Sequence, residues 1–178
     1  MKLILIDGGP ASGKNTLGTL LIQLFEKQNN KVILLDLDRC VEVFNPSWVW
    51  KDNQAKEKDL KKARVNFIDK INTHLQQDYI VIAIGERFLT KVDISNFITR
   101  LKIDSPIYLF HLTVPFSLRK DRLHKRGPHS LIDLEKDQKE RDSNLKWYGY
   151  IYKNINTEQI DAQKLFQLIQ NNHGLLNV

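Results

Sequence analysis

A glycine-rich loop near the amino terminus constrains this chain more than any other feature. The sequence GGPASGKNT, residues 8–16, lies between a short apolar run and a stretch with apolar residues at helical spacing. Between a strand and a helix, such a loop turns its backbone N–H groups inward and binds phosphate at the helix amino end. The loop therefore predicts a nucleotide site. We expect contacts from Gly8, Gly9, Ala11, Ser12, Gly13, Lys14, Asn15 and Thr16.

Strands and helices alternate along the chain. Continuous apolar runs predict strands at Lys2–Asp7, Lys31–Asp36, Tyr79–Ile84, Pro106–Leu112 and Tyr150–Asn154. Apolar residues at intervals of three and four predict helices at Lys14–Gln28, Lys56–Gln77, Ile94–Leu101, Phe116–Lys125, Leu131–Trp147 and Glu158–Asn171, the last capped by Thr157. This alternation predicts a three-layer α/β fold. We expect a five-stranded parallel sheet with helices on both faces, forming a single domain over residues 1–178, with ligands beyond the carboxyl ends of the strands.

The composition narrows the class of protein. The chain has 178 residues, 42% of them hydrophobic, and a formal net charge of +6, which favours anionic partners. The lone cysteine, Cys40, excludes an internal disulfide. With neither a secretion signal nor a long apolar segment, the sequence predicts a cytoplasmic protein that does not enter the membrane.

Two carboxylates follow the second predicted strand, Asp36 and Asp38. If the end of the strand stays extended, both side chains point to the same side. Beside a triphosphate, such a pair suits Mg²⁺ and the orientation of an acceptor hydroxyl. The alternative is that one of them caps the next helix.

These motifs resemble those of the nucleoside monophosphate kinase and shikimate kinase branch of P-loop proteins. Most phosphate loops have Ser or Thr directly after the lysine, whereas adenylate kinases show G-x-P-G-x-G-K-G-T, with the hydroxyl one place later, like Thr16 here. Shikimate kinases carry D-S-D-x-x-I-E at the position of residues 36–42. The resemblance implies that Thr16 and Asp36 serve Mg²⁺ and that Asp38 is the base that orients the acceptor.

The third predicted strand ends without the Asp that many P-loop proteins place there. Shikimate kinases also lack it and show V-I-A-x-G-G-G, whose glycines contact the acceptor. This chain matches Gly85 and has Glu86 and Arg87 at the other two places, which argues against shikimate as the substrate. Arg87 could bind a carboxylate or phosphate of the acceptor. By resemblance, Arg64 and Arg141 lie near the positions of acid-binding arginines.

Arginines at spacings of three and four follow the fourth predicted strand, at Arg119, Arg122 and Arg126. The resemblance implies a lid, at about residues 119–135, whose arginines close over the phosphates. Arg126 and Arg122 are the lid candidates, and Arg119 is interpreted as a solvated helix residue. The alternative is a basic patch for nucleic acid. The resemblance also places Asn156, before the last helix, against the nucleotide base.

The sequence as a whole predicts an ATP- and Mg²⁺-dependent small-molecule kinase, active as a monomer or homodimer. Its catalytic residues would be Lys14, Asp38, Arg122 and Arg126. The acceptor, small and anionic or nucleotide-like, would bind the segment at about residues 39–77, which contains Phe44, Trp48 and Trp50. Two other classes stay open: a polynucleotide 5′-hydroxyl kinase, which the basic charge permits, and a non-catalytic nucleotide-binding regulatory module, which Asn15 and the missing Asp permit.

Overall fold

The computed structural model describes residues 1–43, 45–47, 53–102, 104–125, 133–144 and 149–177. The strands are β1 (Lys2–Gly8), β2 (Val32–Asp36), β3 (Ile80–Ile84), β4 (Ile107–Thr113) and β5 (Tyr150–Lys153). The helices are α1 (Lys14–Glu26), α2 (Leu37–Glu42), α3 (Asn53–Gln76), α4 (Lys91–Ile98), α5 (Phe116–His124), α6 (Leu134–Asn144) and α7 (Glu158–Gln170).

All five strands are parallel and lie in the order β2-β3-β1-β4-β5. The predicted five-stranded parallel sheet is therefore confirmed. Strand β1 is central, with Ile6 opposite Ile84 of β3 and Gly8 opposite Leu112 of β4. The loop that follows β1 consequently lies over the middle of the sheet, between the carboxyl ends of its two neighbours, where ligands of such folds bind.

The sheet is covered on both faces, because successive side chains of a strand point to opposite sides. Leu3 and Leu5 of β1 pack in one cluster with α3 and α4, whereas Ile4 and Ile6 pack in the other with α1 and α7. These four β1 side chains are at most 1% exposed. Burying each of them contributes about 1.5–3 kcal/mol relative to leaving it in water.

Helices α2 and α4 are among those whose starts differ from the sequence prediction. The chain turns into α2 directly after β2, so it does not stay extended through Asp38, and Asp36 caps this helix, as the alternative interpretation had it. Helix α4 begins three residues earlier than predicted, at Lys91, because Thr90 and Asp93 form a capping box. The predicted cap of the last helix is confirmed, since the Thr157 side chain accepts a hydrogen bond from the backbone of Ile160.

Several predicted features lie outside the described residues. These are residues 126–132 in the middle of the proposed lid, including Arg126, the two ends of the helix predicted at Leu131–Trp147, and the aromatic residues Phe44, Trp48 and Trp50. Of the helices that the structure describes, none combines the length and the apolar character needed to cross a membrane.

Candidate functional site

The glycine-rich loop holds its lysine in a defined position. The Lys14 amine donates hydrogen bonds to the carbonyl oxygens of Gly8 at 2.7 Å and Gly9 at 3.2 Å. Burial lowers the pKa of this amine, and the nearby charge of Asp7 opposes the shift. Helix α1 starts at Lys14 with no side-chain cap and no acidic residue in its first turn. Its amino end therefore leaves backbone N–H groups for an anion.

Ser12 supplies a second feature that fits a phosphate ligand. Its hydroxyl is buried, with the residue 1% exposed, and has no hydrogen-bond partner among the residues that the structure describes. A buried hydroxyl without a partner costs free energy that a bound phosphate oxygen would recover. The loop is fixed from outside by Asn154, whose amide donates to the Ser12 carbonyl oxygen at 2.6 Å. The lysine, the hydroxyl and the open helix end together fit the phosphates of a nucleotide.

A cavity of about 210 Å³ opens on one side of the loop. It is lined by Ala11, Gly13, Thr16, Leu17, Arg122, Lys125, Asn154 and Glu158. Arg122, a lid candidate, donates a hydrogen bond to the Ala11 carbonyl oxygen at 3.3 Å, so it already contacts the loop. Asn156 does not line this cavity, because its amide donates to the Asp161 carboxylate at 2.7 Å.

A second cavity, of about 290 Å³, lies on the other side and shares the loop with the first. It is lined by Gly8, Pro10, Ala11, Ser12, Gly13, Lys14, Asn15, Thr16, Asp36, Asp38, Gly85, Glu86, Arg87, Asp137 and Arg141. The structure thus brings the loop, the acidic pair, the end of β3 and Arg141 around one space. Among the predicted acceptor residues, Arg64 lies behind this wall and reaches it through Glu86.

The acidic pair is arranged by the start of α2. One carboxylate oxygen of Asp36 accepts a hydrogen bond from the Asp38 backbone at 3.1 Å, and the other accepts from the Asn15 amide at 2.8 Å. Asn15 therefore orients Asp36 from the place where most phosphate loops carry a hydroxyl.

The Asp38 side chain lines the same cavity. Although Asp38 is partly open to solvent, the surrounding protein withdraws its carboxylate from bulk water. This desolvation and the negative charge of Asp36 raise the pKa of Asp38 to about 6, against the opposing effect of Lys14.

Gly85 lets β3 approach α2 closely. Its φ is +92°, a left-handed conformation that side chains rarely adopt, and an added Cβ would lie 3.0 Å from an Asp36 carboxylate oxygen and from Leu37. The glycine at this position, the single one that matches the shikimate kinase pattern, is thus needed to place Asp36.

The predicted acceptor arginines are held by carboxylates. Arg64 forms a two-pronged contact with Glu86, at 2.9 and 3.0 Å, and a further one with Glu57 at 3.2 Å. Arg87 contacts Glu140 at 3.0 Å and Asp137 at 3.3 Å. The side-chain exposure of Arg87, at 45%, leaves it partly in solvent.

Arg141 belongs to a buried network beneath the loop. Its guanidinium lies 3.1 Å from the carboxylate of Asp7, at the end of β1, and 3.3 Å from that of Asp137. Burial alone would raise the pKa of Asp7, but the hydrogen bond with His111 and the charge of Arg141 outweigh it and hold that pKa well below its usual range. Arg141 therefore supports the site from below as well as lining it.

Arg119 is not the solvated residue that the sequence suggested. It is 3% exposed, and its guanidinium lies 2.5 Å from the Asp137 carboxylate and 2.9 Å from the Pro10 carbonyl oxygen. A Cβ at Gly9 would collide with this pair, at 2.4 Å from Arg119 and 2.5 Å from Asp137. The second glycine of the loop is thus required by the ion pair that packs against it.

Sequence reasoning missed Asp7, His111 and Asp137 as parts of the site. A signal existed for Asp7, which is the carboxylate in an otherwise apolar strand and therefore had to be buried with a partner. Asp137 offered no signal, since it lies in the polar sequence LEKDQKERDSN and becomes central through contacts with α5, α6 and the end of β3.

The site offers metal ligands only in combination with a nucleotide. In the part of the chain that the structure describes, no group of three or more His, Cys, Asp or Glu side chains could hold a metal ion. Thr16 and Asp36 both line the cavity beside the loop, so the donor set fits a magnesium ion that is held mainly by phosphates.

Comparison with known proteins agrees with this geometry. Residues 1–86 match the family model of chromatin associated protein KTI12, which covers just under half of the chain. No match is found among the curated proteins.

Solved structures match almost the whole chain. A provisionally assigned kinase from Chloroflexus aurantiacus superposes with a TM-score of 0.69 and 20% identity, covering 96% of this chain and 97% of that one. Shikimate kinase from Aquifex aeolicus gives 0.62 and 15%, covering 97% and 98%. The APS kinase CysC of Mycobacterium tuberculosis, solved with AMPPNP and APS, gives 0.65 and 14%, covering 95% and 97%. At these identities the likeness is one of fold, and the predicted resemblance to the P-loop kinase branch is confirmed at that level.

Proposed function

We propose that this chain, which has the P-loop kinase fold, is an ATP-dependent phosphotransferase that transfers the γ-phosphate of ATP to a hydroxyl or phosphate group of a small acceptor. One observation carries the proposal. The Lys14 amine and the Asp38 carboxylate line a single cavity, of about 290 Å³, between the phosphate loop and the end of β3. A cation that binds phosphate and a carboxylate that can take a hydroxyl proton are two of the groups that phosphoryl transfer to a hydroxyl uses.

Each residue has a distinct task in the proposed reaction. Lys14 and the backbone of the loop bind the outer phosphates and stabilise their charge as the bond between the γ-phosphorus and ADP breaks. Asp38 orients the acceptor hydroxyl and accepts its proton as the acceptor oxygen bonds to phosphorus. Arg122, which contacts the loop at Ala11, adds positive charge from the lid side.

Thr16 and Asp36 are the residues proposed to hold Mg²⁺. Bound with ATP, this ion supplies further neutralisation of phosphate charge. Asn15 keeps Asp36 oriented toward the loop, since its amide bonds one carboxylate oxygen at 2.8 Å. In this proposal the whole chain acts as one domain, with an acceptor segment at about residues 39–77 and a lid at about 119–135.

The substitution Asp38→Asn tests the function. We expect calorimetry to give unchanged ATP affinity and transfer to an acceptor to fall by about 10²–10⁴-fold, because the amide keeps the shape but cannot take a proton. Asp104→Asn is the matched control, since this exposed residue precedes β4 at the opposite edge of the sheet. Tight ATP binding by the wild type without phosphoryl transfer to any member of a broad acceptor panel would refute the kinase proposal.

A second candidate is a nucleotide-binding regulatory module. The match of residues 1–86 to the KTI12 model favours it, because the name of that family refers to chromatin association and the matched segment contains the loop and the acidic pair. In that case ATP would alter the affinity for a nucleic acid or protein partner without ADP being formed. Salt-dependent binding of short oligonucleotides that changes with ATP, and is indifferent to Asp38→Asn, would support it over the kinase.

A further inference from the structure

The acceptor side of the cleft carries an excess of negative charge. Three carboxylates, Asp36, Glu42 and Glu86, lie near enough to Asp38 for their charges to act on it. Asp36 and Asp38 line the cavity directly, and Glu86 forms part of its wall. Like charges at such short range repel an incoming anion and attract a cation.

The arginines expected to offset these charges are already neutralised. Arg64 is shared by Glu86 and Glu57, with contacts of 2.9 and 3.2 Å. Burial of the Glu86 side chain, which is 13% exposed, strengthens this pair relative to one on the surface. Arg64, which by resemblance lies near the position of an acid-binding arginine in shikimate kinases, is therefore bound to the protein's own carboxylates.

The other two candidate arginines are occupied in the same way. Arg141 divides its hydrogen bonds between Asp7 and Asp137, and the residue is 6% exposed. Arg87 is held by Asp137 and Glu140. The remaining cation of the cavity, Lys14, belongs to the phosphates. An acid placed beside Asp38 would thus have to compete with these carboxylates for the arginines.

The basic side chain of Arg100 lies further away. It lines a neighbouring cavity of about 320 Å³, which shares Glu86 and Arg87 with the acceptor side. Arg100 is not among the described residues that line the cavity of Asp38, so it adds no cation beside the proposed position of the reacting hydroxyl.

From this arrangement we propose that the acceptor is a hydroxylated amine, whose protonated amino group lies beside the reacting hydroxyl and is attracted by the negative charge of the acidic pair and of Glu86, which line the same cavity. The inference rests on the proposed kinase function and replaces the anionic acceptor expected from the sequence. The bonds made and broken are the same as in the proposed kinase reaction. The hydroxyl oxygen bonds to the γ-phosphorus, its proton passes to Asp38, and ADP leaves.

Matched acceptors test this charge preference. The compounds are 2-amino-1,3-propanediol, glycerol and glycerate, which share a three-carbon scaffold and differ in charge, with glucosamine, glucose and glucuronate as a larger set. Product is measured by ³¹P NMR and ADP release at saturating ATP and Mg²⁺. We expect kcat/KM to be about 10–100-fold higher for the amine than for the neutral alcohol, as for one hydrogen bond to a charged group, and lowest for the acid.

Two variants shift the preference in opposite directions. Glu86→Gln removes a carboxylate and frees Arg64, so the advantage of the amine should disappear and turnover of glycerate should rise. Arg64→Gln frees Glu86, so the advantage of the amine should increase. Glu26→Gln, at the exposed far end of α1, is the matched control and should leave the order of the three acceptors unchanged.

Some results of these assays would overturn only the preference for an amine, and others would also overturn the proposed kinase function. Transfer to the acid or the neutral alcohol at least as efficient as to the amine overturns the inference and leaves the kinase standing. A preference for the amine that neither Glu86→Gln nor Arg64→Gln alters also overturns it, since the charge would then be read elsewhere. Tight ATP binding without transfer to any compound overturns the proposed function together with the inference.

Discussion

The phosphate loop draws all its groups from residues 8–16, whereas the acceptor side of the same cavity draws its groups from segments spread between Asp7 and Arg141. In the loop, chain neighbours supply the lysine, the hydroxyl and the open helix end. On the acceptor side, Asp137 alone connects Arg87, Arg119 and Arg141, which are 50, 18 and 4 residues away. The phosphate-binding half of this site can therefore be recognised from a sequence motif, whereas the acceptor half can be recognised only from contacts in the folded structure.

The two regions also manage charge differently. In the part of the chain that the structure describes, the Lys14 amine of the loop donates to backbone carbonyl oxygens and forms no direct ion pair, although nearby carboxylates act on its charge through space. The acceptor side instead compensates its arginines internally and leaves carboxylates facing the cavity. Disturbing the first region should therefore affect ligand binding, and disturbing the second should also affect stability.

The largest expected effect comes from breaking the buried network at Arg141→Met. The substitution leaves Asp7 buried without its cation, so we expect the free energy of unfolding at pH 7 to fall by about 3–5 kcal/mol. Urea denaturation followed by circular dichroism measures this. Arg39→Met, on the exposed surface of α2, should change it by less than about 0.5 kcal/mol.

The contribution of the Asp7–Arg141 ion pair to the free energy of unfolding should depend on pH. Because the pKa of Asp7 is depressed in the folded state, its stabilising contribution is complete above the pKa of an unfolded Asp, about 4, and is lost as the pH falls below it. The difference in unfolding free energy between wild type and Arg141→Met should therefore shrink below pH 4. A difference that stays constant down to pH 3 would mean that Asp7 is not the partner that matters.

Lys14→Ala should act on binding and leave the fold unaffected. Loss of the amine removes the cation of the loop, and we expect kcat/KM for ATP to drop by about 10²–10³-fold, as when one preorganised charge donor is removed. The unfolding midpoint should stay close to that of the wild type. Lys27→Ala, at the exposed end of α1, serves as the control, and a comparable loss there would point to general charge effects.

Gly85→Ala should produce an intermediate effect at the junction of the two regions. The left-handed conformation with φ +92° costs a side chain about 1–2 kcal/mol, and the new Cβ would press on Asp36 and Leu37. We expect the free energy of unfolding to fall by about 1–2 kcal/mol. We also expect KM for the acceptor to rise while the affinity for ATP stays unchanged. A rise in the ATP dissociation constant instead would show that the end of β3 serves the phosphates. Ser95→Ala on α4 is a neutral comparison.

The smallest effect belongs to a purely local signal, the cap of α7. Thr157→Ala removes the oxygen that accepts from Ile160, and the free energy of unfolding should fall by about 0.5–1 kcal/mol without change in the affinity for ATP. Thr157→Ser should restore it, because the hydroxyl is retained. If Thr157→Ser does not restore the free energy of unfolding, the methyl group of Thr157, and not its capping hydroxyl, stabilises the helix.

Features that depend on residues close together in the chain could be predicted from the sequence, whereas features that depend on distant residues could not. The predicted strands agree with the observed ones to within one or two residues, since each is fixed by its own apolar run between polar segments. Helix α2 was missed because six residues are too few to show a helical period, so the capping role of Asp36 could be given only as an alternative. Arg119 was misread because its spacing on α5 cannot reveal that α6 folds over it.

The alternation of strands and helices, the phosphate loop and the position of the acidic pair near it could all be predicted from the sequence. These features follow from backbone geometry and burial over short stretches, where side-chain identity and spacing are sufficient. The pairing of carboxylates with arginines could not be predicted in this way, and it is this pairing that neutralises Arg64, Arg87 and Arg141 and, in the described part of the chain, leaves Asp38 without an arginine. Charge pairing is set by distances between residues far apart in the chain, and those distances exist only after the sheet has brought its carboxyl ends together.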